Sequence, residues 1–249
     1  MKRDEGQKTA KSRFVLLLPL LIHQKDRTMR VAVVAPHPDD EVLGCGGVMA
    51  RHVADGDEVF VIVVTRGIPE LFAPELIERT RAEARKAHQF LGVKETRFLD
   101  FPAPRLDVTP GHLVADALAK QFQDIRPERV YLPHHGDIHS DHGRIYHATL
   151  VAARPLANCP VKQLLCYETL SETEWSPPIA TSVFYPTVFV DITAHLQQKL
   201  DAMSCFETQI KQPPNPRSLQ AIEALARYRG ATVNRMAAEA FVLVREIIH

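Results

Sequence analysis

The chain has 249 residues, 45% of them hydrophobic and 24% charged, and its 30 Lys plus Arg balance 30 Asp plus Glu. These values match ordinary globular chains and exclude disorder, collagen-like structure and an integral membrane bundle. Neutrality excludes the basic excess of a general nucleic-acid binder, so no nucleic-acid partner is expected. Twelve histidines are present, and His134, His135, His139, His142 and His147 crowd one short stretch.

Residues 1–28 read as an extension separate from a single domain over 29–249. Lys2, Arg3, Lys8, Lys11 and Arg13 precede an apolar run, Phe14 to Ile22, that imitates the start of a signal peptide. No small-residue cleavage site follows. Nine residues make ~14 Å of helix against ~30 Å of hydrocarbon, too short to span. Three readings remain: a disordered or mis-started extension with Met29 as an alternative start, an interfacial anchor, or a degenerate export signal. The four cysteines, Cys45, Cys159, Cys166 and Cys205, form no CxxC pair and suit reduced thiols. A cytoplasmic protein is expected, with membrane-peripheral attachment through the apolar run as the variant that the anchor reading allows.

From Arg30 the pattern alternates. Arg30–Ala35 is a β-branched buried strand, Pro36–Gly47 a loop, and Val48–Ala54 part of a short helix. Glu58–Thr65 is a second buried strand. Pro74 opens a helix that Gly92 stops, with Leu76, Ile77, Ala84, Ala87 and Leu91 as its apolar stripe. Thr96–Leu99 is a short strand. Gly111–Ile125 is an amphipathic helix with Leu113, Val114, Ala117, Leu118, Phe122 and Ile125 inward, and Arg129–Leu132 is a fourth strand. Beyond it, helices are expected over Asp141–Ala153, Thr193–Gln212 and Arg217–Tyr228, and strands over Leu164–Glu168, Thr187–Asp191 and Ala240–Ile247. This alternation predicts an α/β fold: a Rossmann-like, doubly wound, mostly parallel sheet in a three-layer α/β/α sandwich. In such sheets ligands bind beyond the carboxyl ends of the strands.

Two loops there carry the chemistry. The first reads Pro36-His37-Pro38-Asp39-Asp40-Glu41 and the second His134-His135-Gly136-Asp137-Ile138-His139-Ser140-Asp141-His142. Three carboxylates and an imidazole within five residues repel one another unless a cation joins them. Together the loops supply His37, Asp40 and His142, a set that suits one Zn²⁺ per chain, without excluding Fe²⁺, Co²⁺ or Mn²⁺. Asp39 is then a candidate base for a metal-activated water, and His139 a candidate acid or oxyanion stabiliser. Asp141 is placed to hydrogen-bond His139 and favour its protonated form. His134, His135 and His147 read as supporting residues.

With PHPDDE at 36–41 and HSDH at 139–142, the chain resembles the PIG-L/LmbE family of zinc-dependent N-deacetylases. Thr65-Arg66-Gly67 is similar to that family's turn after the second strand. The segment from Pro216-Arg217-Ser218 to Ala240-Phe241 is similar to a bacterial branch often found near surface-polysaccharide genes. Pro36 stands where Ala is usual, and residues 1–28 fall outside the family pattern. The resemblance implies a hydrolase that removes the N-acetyl group from an N-acetylglucosaminyl-type conjugate, small or lipid-linked. It implies metal ligation by His37, Asp40 and His142, Asp39 as general base for zinc-bound water, His139 as catalytic histidine, Asp141 orienting it, and a structural Glu41. It also implies a homo-oligomer, trimer or hexamer. Arg66, Arg217 and Arg229 are candidates for substrate contacts. Alternatives are hydrolysis of another bond such as a phosphoester, which ordinarily needs a second metal, a non-catalytic sugar binder, or a dinucleotide module suggested by Gly44-Cys45-Gly46-Gly47, whose spacing is wrong.

Overall fold

The computed structural model describes residues 27–248. The apolar run Phe14 to Ile22, with the three readings of the extension, lies outside them. Strands β1 (Arg30–Ala35), β2 (Glu58–Gly67), β3 (Glu95–Ala103), β4 (Arg129–Pro133), β5 (Gln163–Tyr167), β6 (Val188–Asp191) and β7 (Ala238–Glu246) form one sheet in the order β3-β2-β1-β4-β5-β7-β6. β1 to β5 are parallel, and β7 runs antiparallel between β5 and β6. The expected three-layer architecture is therefore present, with an antiparallel edge.

Alternate residues of β1 face opposite layers. Val31, Val33 and Ala35 pack with α1 (Asp40–Ala54), α2 (Pro74–Leu91), α5 (Leu196–Met203) and α6 (Leu219–Ala231). Ala32 and Val34 pack with α3 (Gly111–Ile125) and α4 (Ser140–Ala152). Burial on both faces is why β1 and β2 read as unbroken apolar runs.

Four expectations shift. The helix expected from Val48 begins at Asp40. Its Gly44, Gly46 and Gly47 read as loop formers, but they are helical, and glycine stands there because other side chains occupy the space of their Cβ atoms. A Cβ on Gly44 would lie 2.3 Å from Tyr167 Cδ2, and one on Gly47 would lie 2.6 Å from Ile192 Cδ1. The helix expected over Thr193–Gln212 is only α5, Leu196–Met203. Beyond it Glu83 of α2 accepts from both the backbone N–H and the hydroxyl of Thr208, which fixes that residue in a turn. α6 starts at Leu219, not Arg217, because the Ser218 hydroxyl caps it by accepting from Ala221 N–H. Leu76 and Leu113, assigned to inner stripes, are exposed. Among the described residues no helix is long and apolar enough to cross a membrane.

The strand order places a switch point between β1 and β4. Both neighbours of β1 run parallel to it, and their crossovers leave in opposite directions, so a crevice opens at their carboxyl ends. The two loops singled out by their His and Asp content emerge there.

Candidate metal centre and active-site cavity

Asp39 turns the chain from β1 into α1 with φ 125° and ψ −30°, a conformation that costs a non-glycine residue about 1–3 kcal/mol. Thr65 anchors the turn, donating from its backbone N–H and its hydroxyl to Pro36 C=O. Glu41 stiffens it further. One carboxylate oxygen accepts from Asp39 N–H at 3.1 Å and the other pairs with His88 Nε2 at 2.8 Å, while His88 Nδ1 meets Thr96 Oγ1. This is the structural part expected for Glu41.

His37, Asp40 and His142 converge, with ligand atoms all within 4.8 Å of one another. Asp40 Oδ2 lies 3.1 Å from His37 Nδ1 and 3.2 Å from His142 Nε2. Asp40 Oδ1 is buried without a hydrogen-bond partner, and His142 Nε2 has only the 3.2 Å ion-pair contact with Asp40 Oδ2. Orphaned polar atoms of this kind are expensive unless something else satisfies them. A divalent cation fits the donor set of two imidazoles and one carboxylate. Asp137, which lies in the second loop but was given no role from sequence, accepts from His142 Nδ1–H at 2.7 Å and from the Thr173 hydroxyl at 2.6 Å. That bond directs His142 Nε2 toward the cluster.

The close contacts in this cluster shift its titrations. Burial alone would lower His37, but hydrogen bonds to Asp141 and Asp40, and the charge of Asp40, raise it to about 9. Burial likewise opposes protonation of His142, and the Asp40 charge with the Asp137 hydrogen bond outweighs it, to about 10. Asp40 is held well below the usual carboxylate range, because the His142 and His37 contacts overcome the burial that would raise it. Burial pushes Asp39 up to about 7, with the Arg217 charge opposing and the Asp40 and Glu41 charges adding.

His139 differs from expectation. Its Nδ1 accepts the Asp141 backbone N–H at 3.2 Å as the cap of α4, while the Asp141 carboxylate faces His37 Nε2 at 3.3 Å and accepts from Leu106 N–H. The anticipated Asp141 carboxylate to His139 hydrogen bond is replaced by this backbone contact. Burial, joined by the His37 charge, lowers His139 to about 4, so the ring is neutral at pH 7. With Nδ1 accepting, its proton sits on Nε2.

His37, Asp39 and His139 border a cavity of about 260 Å³ that is also lined by Arg66, Phe72, Leu76, Pro104, Glu172, Gln209 and Arg217. Leu76 is on α2 but serves this wall, which accounts for its exposure. Arg66 pairs with Glu78 at the rim. Arg217 reaches Asp39 Oδ2 at 2.7 Å. Arg229 does not join them: its Nε and Nη2 donate to the two oxygens of Glu168, and it borders a separate cleft. His134 and His135 donate to the carbonyls of Ser182 and Thr181, tying down the loop before β6.

A family model described as PIG-L: GlcNAc-PI de-N-acetylase matches residues 32–153. An uncharacterized deacetylase of Escherichia coli K12, YaiS, is 30% identical over 176 residues, 69% of this chain and 86% of the relative. The chain belongs to the PIG-L family. Another relative, the diacetylchitobiose deacetylase of Thermococcus kodakarensis, is 26% identical over 193 residues, covering 72% of this chain and 70% of its own. The crystal structure of the conserved protein TT1542 from Thermus thermophilus is similar with a TM-score of 0.71 at 28% identity, covering 89% of this chain and 97% of that one. The PIG-L match contains His37, Asp39, Asp40, His139 and His142; Glu172, Gln209 and Arg217 lie beyond it.

Proposed function

We propose that this chain hydrolyses the acetamide of an N-acetylglucosaminyl-type conjugate to an amine and acetate, with one divalent metal, preferentially zinc, held by His37, Asp40 and His142. The observation that carries the reading is the convergence of those three donors, with Asp40 Oδ1 unpartnered, behind a cavity that His37 lines together with Asp39 and His139. The diacetylchitobiose deacetylase among the relatives supports an acetamido-sugar substrate.

When bound, the metal supplies Lewis-acid polarisation and a water of lowered pKa. Asp39 takes one proton from water as the oxygen–carbon bond to the acetamide forms. A carboxyl raised to about 7 suits a base working near neutrality. Neutral His139 donates from Nε2 to the oxygen that gains charge. As the carbon–nitrogen bond breaks, Asp39 returns its proton to the nitrogen; the second water proton remains on the new carboxyl and passes to the amine or to solvent, so that amine and acetate leave. Asp141 holds His139 through its backbone N–H and steadies His37 through its carboxylate.

The deciding experiment screens acetamido sugars with amine detection, using protein loaded with one equivalent of Zn²⁺. Asp39→Ala is expected to retain the metal and lose at least ~10²-fold in turnover. Wild-type turnover in that variant refutes the assigned mechanism.

A further inference from the structure

Five described residues other than glycine have positive φ, and two of them, Asp39 at 125° and Ser171 at 71°, are joined by one side chain. Arg217 donates from Nη1 to Asp39 Oδ2 at 2.7 Å and from Nε to Ser171 Oγ at 2.7 Å, while Nη2 stands 3.5 Å from Glu172 Oε1. Three sides of the guanidinium are thus taken by protein groups, which argues against a main role in gripping substrate. Its own backbone is held as well: Arg217 N–H donates to Asn215 Oδ1, and the buried Ser218 that follows caps α6. Non-glycine residues in such backbone conformations persist where their surroundings over-determine them. Here the surroundings meet at Arg217.

We propose that Arg217 is a positioning residue, holding the Asp39 carboxylate in a single orientation toward the scissile acetamide and braced in turn by Ser171 and Glu172. This rests on the hydrolase reading above for the role of Asp39. It means that the segment between α5 and α6, beyond the part matched by the family model, completes the catalytic centre. A planar, always-charged fork can hold a carboxylate and a hydroxyl at once, whereas an ammonium cannot reproduce that geometry.

The test uses the metal-loaded full chain. In Arg217→Ala, kcat is expected to fall by about 10²-fold, the scale of a misplaced reacting group, with KM nearly unchanged and one metal per chain retained. A raised KM with unchanged kcat marks a substrate contact and overturns the proposal. In an Asp39→Asn background, Arg217→Ala is expected to add less than about a threefold loss, since it acts through Asp39; losses that multiply overturn it. A crystal structure of Arg217→Ala needs no substrate and separates this proposal from the hydrolase reading. Asp39 is expected to leave its orientation while His37, Asp40 and His142 keep theirs. An unmoved Asp39 overturns the positioning role whatever reaction the protein catalyses. Should Arg217→Ala fail to fold, Ser171→Ala serves instead: a lowered kcat at constant KM supports the brace, and a wild-type kcat with Asp39 in place overturns it.

Discussion

Asp137 accepts a 2.7 Å hydrogen bond from Nδ1 of His142, and so directs the opposite nitrogen of that ring at Asp40. Neither the PHPDDE run nor the HSDH run contains Asp137. It lies in the loop between β4 and α4, where Thr173 donates to its other oxygen. Replacing it with alanine is expected to weaken metal affinity by about 10–100-fold, the usual effect of losing a histidine-orienting carboxylate. Chelator-competition titration measures this. Affinity equal to wild type contradicts the orienting role.

Metal uptake is expected to release protons. His37 at about 9 and His142 at about 10 are both protonated in the metal-free protein at pH 7. Ligation needs them neutral, so affinity climbs with pH until the solution passes their values. Raised histidines also stabilise the metal-free fold: that contribution is fully present below the unfolded value of about 6.5 and is lost as pH rises through about 9 and 10. Titrations at three pH values between about 6.5 and 8.5, corrected for the chelator, give the slope. A flat profile shows that the imidazoles are already neutral.

Gly44 lies against the ring of Tyr167, whose hydroxyl donates to Val34 C=O and fixes the ring in the core. Gly44→Ala is expected to destabilise the fold by about 1–3 kcal/mol, as overpacking does, despite the better helix propensity of alanine. Urea denaturation reads the difference. A stabilised variant means that Tyr167 yields without loss.

Lys199 and Glu239 form a buried pair at 2.6 Å that grips the middle of α1. Lys199 donates to Leu43 C=O, and Glu239 accepts from Gly47 N–H and Val48 N–H. Lys199→Met removes one charge and strands the other, at an expected cost of about 3–5 kcal/mol. Because α1 carries Asp40 at its start, weaker metal binding is expected alongside the lower urea midpoint. An unchanged midpoint implies that Glu239 takes up a proton without penalty.

The unbroken apolar runs of β1 and β2, and the 3.6-residue stripes of α2 and α3, made the parallel sheet and its two helical layers readable from residue order. Each of those signals is local and periodic. His37, Asp39, Asp40 and His142 were readable for a related reason: such a density of carboxylate and imidazole is costly without a cation, whatever surrounds it. Short-range patterning therefore determined the fold class, the strands that flank the site and the groups that meet there. Tertiary structure alone accounts for Gly44 and Gly47 inside a helix, because Tyr167 and Ile192 come from distant strands and loops to fill the missing Cβ positions. It alone decided which arginine matters to Asp39. Arg66, Arg217 and Arg229 are equal as residue types, but only Arg217 is carried to that carboxylate by the turn before α6, while Glu168 takes the guanidinium of Arg229. It also assigned the Asp141 carboxylate to His37 in place of His139. Side-chain direction at a helix cap follows from what packs around it, and contacts between residues a hundred positions apart leave no period in the sequence.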